Sequence, residues 1–142
     1  MQHFQKKRMF FVKYWKSLLV LFVILYLSFA SPSTFKDIPT FQHADKVAHF
    51  LMFALFTGVL INDFRHDKIV FTSKTEFLIL SLAFPLFTGA IIEYLQGSVF
   101  QPRSAEWLDF FSDTMGVVIG FLLMSALFHF LKKIKKIIRK DG

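Results

Sequence analysis

The stretch HADKVAHFLMF, residues 43–53, decides how many times this chain can cross a membrane. Its second half is apolar and runs on to Ile61. Val47 to Ile61 alone is short of the ~17–25 residues that a spanning helix needs. The segment reaches that length only if Ala44, Asp45 and Lys46 form its first turn. The polar residues therefore belong to the helix, and Asp45, Lys46 and His49 stand at its mouth.

The rest of the chain supports a membrane reading. It has 142 residues, of which 54% are hydrophobic and 21 are Phe, with a mean hydropathy of +0.50. A water-soluble domain of this size could not cover so much apolar surface. Four apolar segments are expected as spans, at about 14–30, 45–61, 77–95 and 108–131. The expected fold class is an all-α membrane protein, four transmembrane helices in a small bundle. There is no cysteine, which removes disulfides, thiol catalysis and thiolate metal sites. No internal repeat or low-complexity linker is visible.

The net charge of +7 does not point to nucleic acid. The cations cluster at the ends, in KKR at 6–8 and KKIKKIIRK at 132–140, as cytoplasmic flanks of membrane helices do. Residues 1–13 read as a basic cytoplasmic flank and 132–142 as a basic cytoplasmic tail, an amphipathic extension lying on the anionic inner leaflet. The loop between the second and third segments carries Arg65, Lys68 and Lys74, whereas that between the third and fourth carries only Arg103. Both termini are expected inside, and the first and third loops outside. Segment one, with Ser28 and Ala30 before SPS, also has the form of a signal peptide. The reading adopted is a retained anchor, with Tyr14 and Trp15 at the interface.

Alternating spans then place the notable polar residues on one side. Asp45, Lys46 and His49 lie at the outer end of segment two, and Glu93 and Gln96 at the outer end of segment three. Glu106, Asp109 and Asp113 lie in the outer third of segment four, with Arg103 just before it. Asp45 and His49 are four residues apart, Glu93 and Gln96 three, and Glu106, Asp109 and Asp113 form one stripe. A charge at mid-bilayer costs ~2.5–3.5 kcal/mol on insertion scales, so such groups turn inward and pair. Taken singly, Asp45, Glu106 and Asp109 could be helix caps, and His49 an interfacial residue. Glu93 is harder to dismiss. It sits at a helix C-terminus, where the dipole disfavours an anion, and needs a partner such as Arg103, Lys46 or His49. Nine polar residues on one side favour a functional site.

Gly116 and Gly120, in GVVIG, allow close helix approach, and segment four is expected to pack centrally. Pro85 should kink segment three and free the carbonyl near Ser81.

DKVAHF, then EYLQ, then RSAEWLDFFSDTMGVVIG together resemble the VanZ-like membrane proteins, named for a teicoplanin (glycopeptide) resistance accessory protein. The resembling positions are Asp45, Lys46, His49 and Phe50; Glu93 and Gln96; Arg103; and Asp109, Asp113, Gly116 and Gly120. Asp113 stands where the family pattern often carries Asn, which adds a charge or a protonatable group. The resemblance covers about residues 43–120. It implies a small multi-pass protein of the bacterial cytoplasmic membrane and specifies no reaction.

Three readings of the cluster compete. In the first, the protein binds or modulates an envelope component, such as a lipid-linked wall precursor or a glycopeptide, and Lys46, Arg103 and His49 hold its phosphate or carboxylate. In the second, it is an intramembrane enzyme, with His49 paired to Asp45 as general base and Glu93 or Asp113 as acid or metal ligand. No metal motif with tight spacing appears, so no metal ligand is assigned, and the sequence names no cofactor and no oligomeric state. In the third, it is a transporter. This ranks last because four spans are few and the polar groups do not continue into the inner half of the membrane.

Overall fold

A computed structural model of the chain describes residues 2–30, 41–66, 73–99 and 106–139. These form four helices: α1 (Gln2–Phe29), α2 (Ala44–His66), α3 (Lys74–Ser98) and α4 (Trp107–Ile138). No strand occurs among the described residues. Each helix is long and apolar enough to cross a membrane. Arg103 lies outside the described residues.

The helices begin and end for local reasons. The N-terminus of α2 takes in Asp45 and Lys46, as the length argument required. At the start of α3 the Ser73 hydroxyl accepts the Glu76 N–H at 3.1 Å, satisfying one of the free donors of the first turn. The helices run past their apolar stretches, and α1 begins as early as Gln2. α2 continues through Asn62 and Asp63 to His66, and α4 continues through the lysines to Ile138. Hydropathy marks the spans, but the helical hydrogen-bond ladder continues beyond them.

Cross-helix pairs fix the directions. Lys46 meets Asp109, His49 meets Asp113, and Ala54 meets Gly120. Sequence numbers rise together, so α2 and α4 run parallel. Ser17 meets Asp63 and Tyr14 meets Phe64, so α1 runs antiparallel to α2. Gly89 faces Asp113 while Glu93 meets Glu106, so α3 runs antiparallel to α4. The bundle is up-down-up-down.

α2 and α3 each contact all three other helices, but α2 makes the two most extensive seams, with α4 and with α1, and is the central helix. This corrects the expectation for segment four: α4 packs on α2 and α3 and makes no contact with α1 among the described residues. The α2–α4 seam is the most extensive, and the two glycines explain it. A methyl group on Gly116 would strike the Phe50 carbonyl oxygen, and one on Gly120 that of Ala54. Only hydrogen at these positions lets the backbones touch. Ile24, Phe53, Phe56, Ile92 and Val117 form the core where the helices converge. Large apolar side chains such as Phe22, Leu55, Phe87 and Leu123 point outward, as a bundle immersed in lipid requires.

Candidate functional site

The polar residues converge at the end of the bundle formed by the start of α2, the end of α3 and the start of α4. Lys46 is the outer hub. Its Nζ donates to Asp45 Oδ2 at 2.8 Å, Glu106 Oε2 at 2.7 Å and Asp109 Oδ1 at 2.9 Å. An ammonium has three protons, and each has a carboxylate. Glu106 stands at the N-cap position of α4 but makes no side-chain cap bond, because its carboxylate reaches Lys46 instead. Asp45 is likewise bound to Lys46.

His49 lies about one turn deeper. Its Nδ1 is 2.9 Å from Asp113 Oδ1 across the α2–α4 seam. The two side chains are 5% and 1% exposed. The partner of His49 is thus Asp113, and the expected pairing with Asp45 is not formed. The i, i+4 spacing put Asp45 and His49 on one stripe, but the facing helix offered His49 a closer carboxylate.

Glu93 enters from α3. Its Oε2 accepts the Glu106 backbone N–H at 3.2 Å, which ties the end of α3 to the start of α4. No cation pairs with it among the described residues. Its Oε1 is buried with no hydrogen-bond partner there, and so is Asp113 Oδ2, which lies beside Gly89. Gln96 is buried but turns the other way: its Nε2 donates to the Ser28 carbonyl at 2.7 Å and fastens α3 to α1. Eight of the nine candidate residues are therefore described. Seven of them (Asp45, Lys46, His49, Glu93, Glu106, Asp109 and Asp113) form one connected cluster.

The cluster is acid-rich. Five carboxylates face Lys46 and His49 among the described residues. Lys46 has no proton left for an anion, and His49 Nδ1 is committed to Asp113. Beside it, a cleft of about 380 Å³ opens between α3 and α4, lined by Ala90, Glu93, Tyr94, Glu106, Trp107 and Phe110. The two glutamates form its polar end. Tyr94 and Trp107, 72% and 88% exposed, form its rim. A larger groove of about 620 Å³ on the α1–α2–α4 surface is lined by mostly apolar residues, with Lys16 and Asn62 near one end. It carries no charge cluster and matches a lipid-facing furrow.

A second set of polar groups was not singled out in the sequence. Asp63 Oδ2 accepts the Ser17 hydroxyl at 2.7 Å and the Ser17 N–H at 3.1 Å. Asp63 lies 14 residues beyond His49 on α2, roughly 21 Å along the helix. Buried Thr57 and Ser81 hydroxyls lie between the ends of the bundle. Polar groups therefore do occur away from the main cluster, contrary to the argument used against a transporter. Asp63 lies just past the apolar run that ends at Ile61, and its contact with α1 marks it as interior.

A family model described as VanZ/LLP1 matches residues 2–129. The chain belongs to the VanZ/LLP1 family. The match extends the 43–120 resemblance through α1 and into α4, so the VanZ/LLP1 unit takes in α1, α2, α3 and most of α4. Membership and the four apolar helices make this a multi-pass membrane protein. No curated protein and no solved structure matches the chain.

Proposed function

We propose that this VanZ-like protein is a binding protein of the bacterial cytoplasmic membrane. It takes the polar head of an amphiphilic envelope component into the outward-facing cluster. The observation that carries this is the continuity of the α3–α4 cleft with the cluster at Glu93 and Glu106. Aromatic residues at the rim suit an apolar chain arriving from the bilayer, and the two glutamates at the inner end, of which Glu93 is buried, suit a polar head group. Lipid-linked wall precursors and glycopeptides are the ligand classes that the family suggests, and a contribution to glycopeptide tolerance would follow from binding either.

A photoreactive amino acid at Trp107 tests this reading in vesicles containing a labelled lipid-linked wall precursor. Saturable cross-linking at position 107, well above that at lipid-facing Leu123, is the expected result. Equal labelling at the two positions refutes the reading. The enzyme alternative is favoured by the buried His49–Asp113 pair, a general-base arrangement. Conversion of the precursor during the same incubation would establish it, and saturable binding without conversion would exclude it.

A further inference from the structure

The cluster holds more negative charge than its own cations balance, and its best-buried part has the form of a metal site. His49, Glu93 and Asp109 come from three helices and are 4%, 7% and 8% exposed. Each offers a ligand atom, and the three atoms lie within 4.8 Å of one another. Atoms ~2.0–2.4 Å from a shared ion can stand up to about 4.8 Å apart, so one ion can reach all three.

Two further observations point to a ligand. Glu93 Oε1 is buried without a partner, although its own carboxylate is one of the three converging groups. A buried carboxylate oxygen left so is costly, and a cation would satisfy it. His49 is also already oriented. Its Nδ1 is held by Asp113; where that nitrogen is the donor of a neutral ring, Nε2 carries the lone pair. A carboxylate behind a histidine is the usual support of a metal-binding imidazole. The outer trio of Asp45, Glu106 and Asp109 is also close-set, but those carboxylates already converge on Lys46. Asp45 and Glu106 thus have their cation; Asp109, common to both trios, gives Lys46 its Oδ1 and keeps a second oxygen for an ion.

We propose that His49, Glu93 and Asp109 hold one divalent transition-metal ion, of the zinc or manganese class, with Asp113 as the positioning residue. One imidazole and two carboxylates suit such ions. Three protein ligands leave coordination positions free, and Glu93 lines the cleft through which a ligand's oxygen would arrive. This deepens the binding reading and rests on it: with Lys46 saturated, the ion supplies the positive charge that a phosphate or carboxylate head group requires.

The test uses untagged full-length protein in nanodiscs, stripped with chelator and titrated calorimetrically with Zn²⁺ or Mn²⁺ in excess Mg²⁺. One equivalent should bind. Glu93→Gln should weaken binding at least ~10-fold, and Asp113→Asn by ~10–100-fold. Glu106→Gln should change it less than ~3-fold. The absence of saturable binding overturns the proposal. So does equal affinity in Glu93→Gln, or an equal loss in Glu106→Gln, which would place the ion in the outer trio. Should the buried variants fail to fold, the wild-type protein decides: Mn²⁺ bound to it must show electron-spin coupling to an imidazole nitrogen, and no coupling overturns the site. No envelope ligand enters this titration, so its failure is separable from that of the binding reading, which cross-linking at position 107 of the unstripped protein reports.

Discussion

His49 and Asp113 meet at 2.9 Å across the α2–α4 seam, and the two backbones touch about one turn deeper, where Gly116 faces the Phe50 carbonyl. The polar pair and the glycine contact belong to one device. Close approach of the helices brings a carboxylate on α4 within reach of an imidazole on α2.

Gly116→Ala should therefore disturb both packing and site. A methyl group there has only backbone to displace, so a loss of ~1–3 kcal/mol or more is expected, as for overpacked cores. Gly58→Ala is the control, because its methyl would meet the flexible side chain of Met124, Cγ at 3.3 Å and Sδ at 3.8 Å, which can repack. Thermal unfolding in detergent should show a clear fall in Tm for Gly116→Ala and a small change for Gly58→Ala. Equal Tm values would refute the seam as described.

Removing Lys46 leaves three carboxylates without their shared cation. Breaking a buried ion pair costs ~3–5 kcal/mol, but Asp45 and Glu106 are about half exposed, so Lys46→Met should fall below that range. Asp109→Asn added to Lys46→Met should restore part of the loss, because it removes the best-buried of the three charges. Melting of the two single variants and the double variant measures the coupling. Strict additivity would show that the network is not cooperative.

The Ser17–Asp63 contact fastens α1 to α2 at the other end of the bundle. Ser17→Ala leaves a buried carboxylate short of a donor and should cost ~1–3 kcal/mol. Sites this far apart act independently, so ligand and metal affinity should change less than ~2-fold. A large loss of binding would show that the two ends are coupled.

The absence of cysteine gives a clean background for a topology measurement. Phe41→Cys and Ile138→Cys both place an exposed thiol near a helix end. With the basic ends inside, a membrane-impermeant thiol reagent should label position 41 in intact cells and position 138 only after permeabilisation. The reverse pattern would turn the site toward the cytoplasm.

Much of this was legible in the sequence, for physical reasons. Helical spacing is local, so it put Lys46 beside His49, and Glu106, Asp109 and Asp113 on one stripe. Alternating spans then set these groups at one end. Partner choice was not legible, because it depends on the facing helix. His49 pairs with Asp113 rather than Asp45, and Glu93 with a backbone N–H rather than a cation. Gln96 shares a face with Glu93 by spacing but fastens α1. Asp63 gave no sign of burial because it ends an apolar run. The three converging groups at His49, Glu93 and Asp109 come from separate helices, and no sequence motif could display them.

Affinity for a lipid-linked wall precursor, measured in nanodiscs for wild type and Glu93→Gln, tests the central claim most directly. Glu93 belongs to both the cleft and the cluster, and Gln keeps its size while removing its charge. The account predicts saturable binding by wild type and at least ~10-fold weaker binding by the variant, about 1.4 kcal/mol, with Tm preserved. Equal affinity for the two proteins would contradict it.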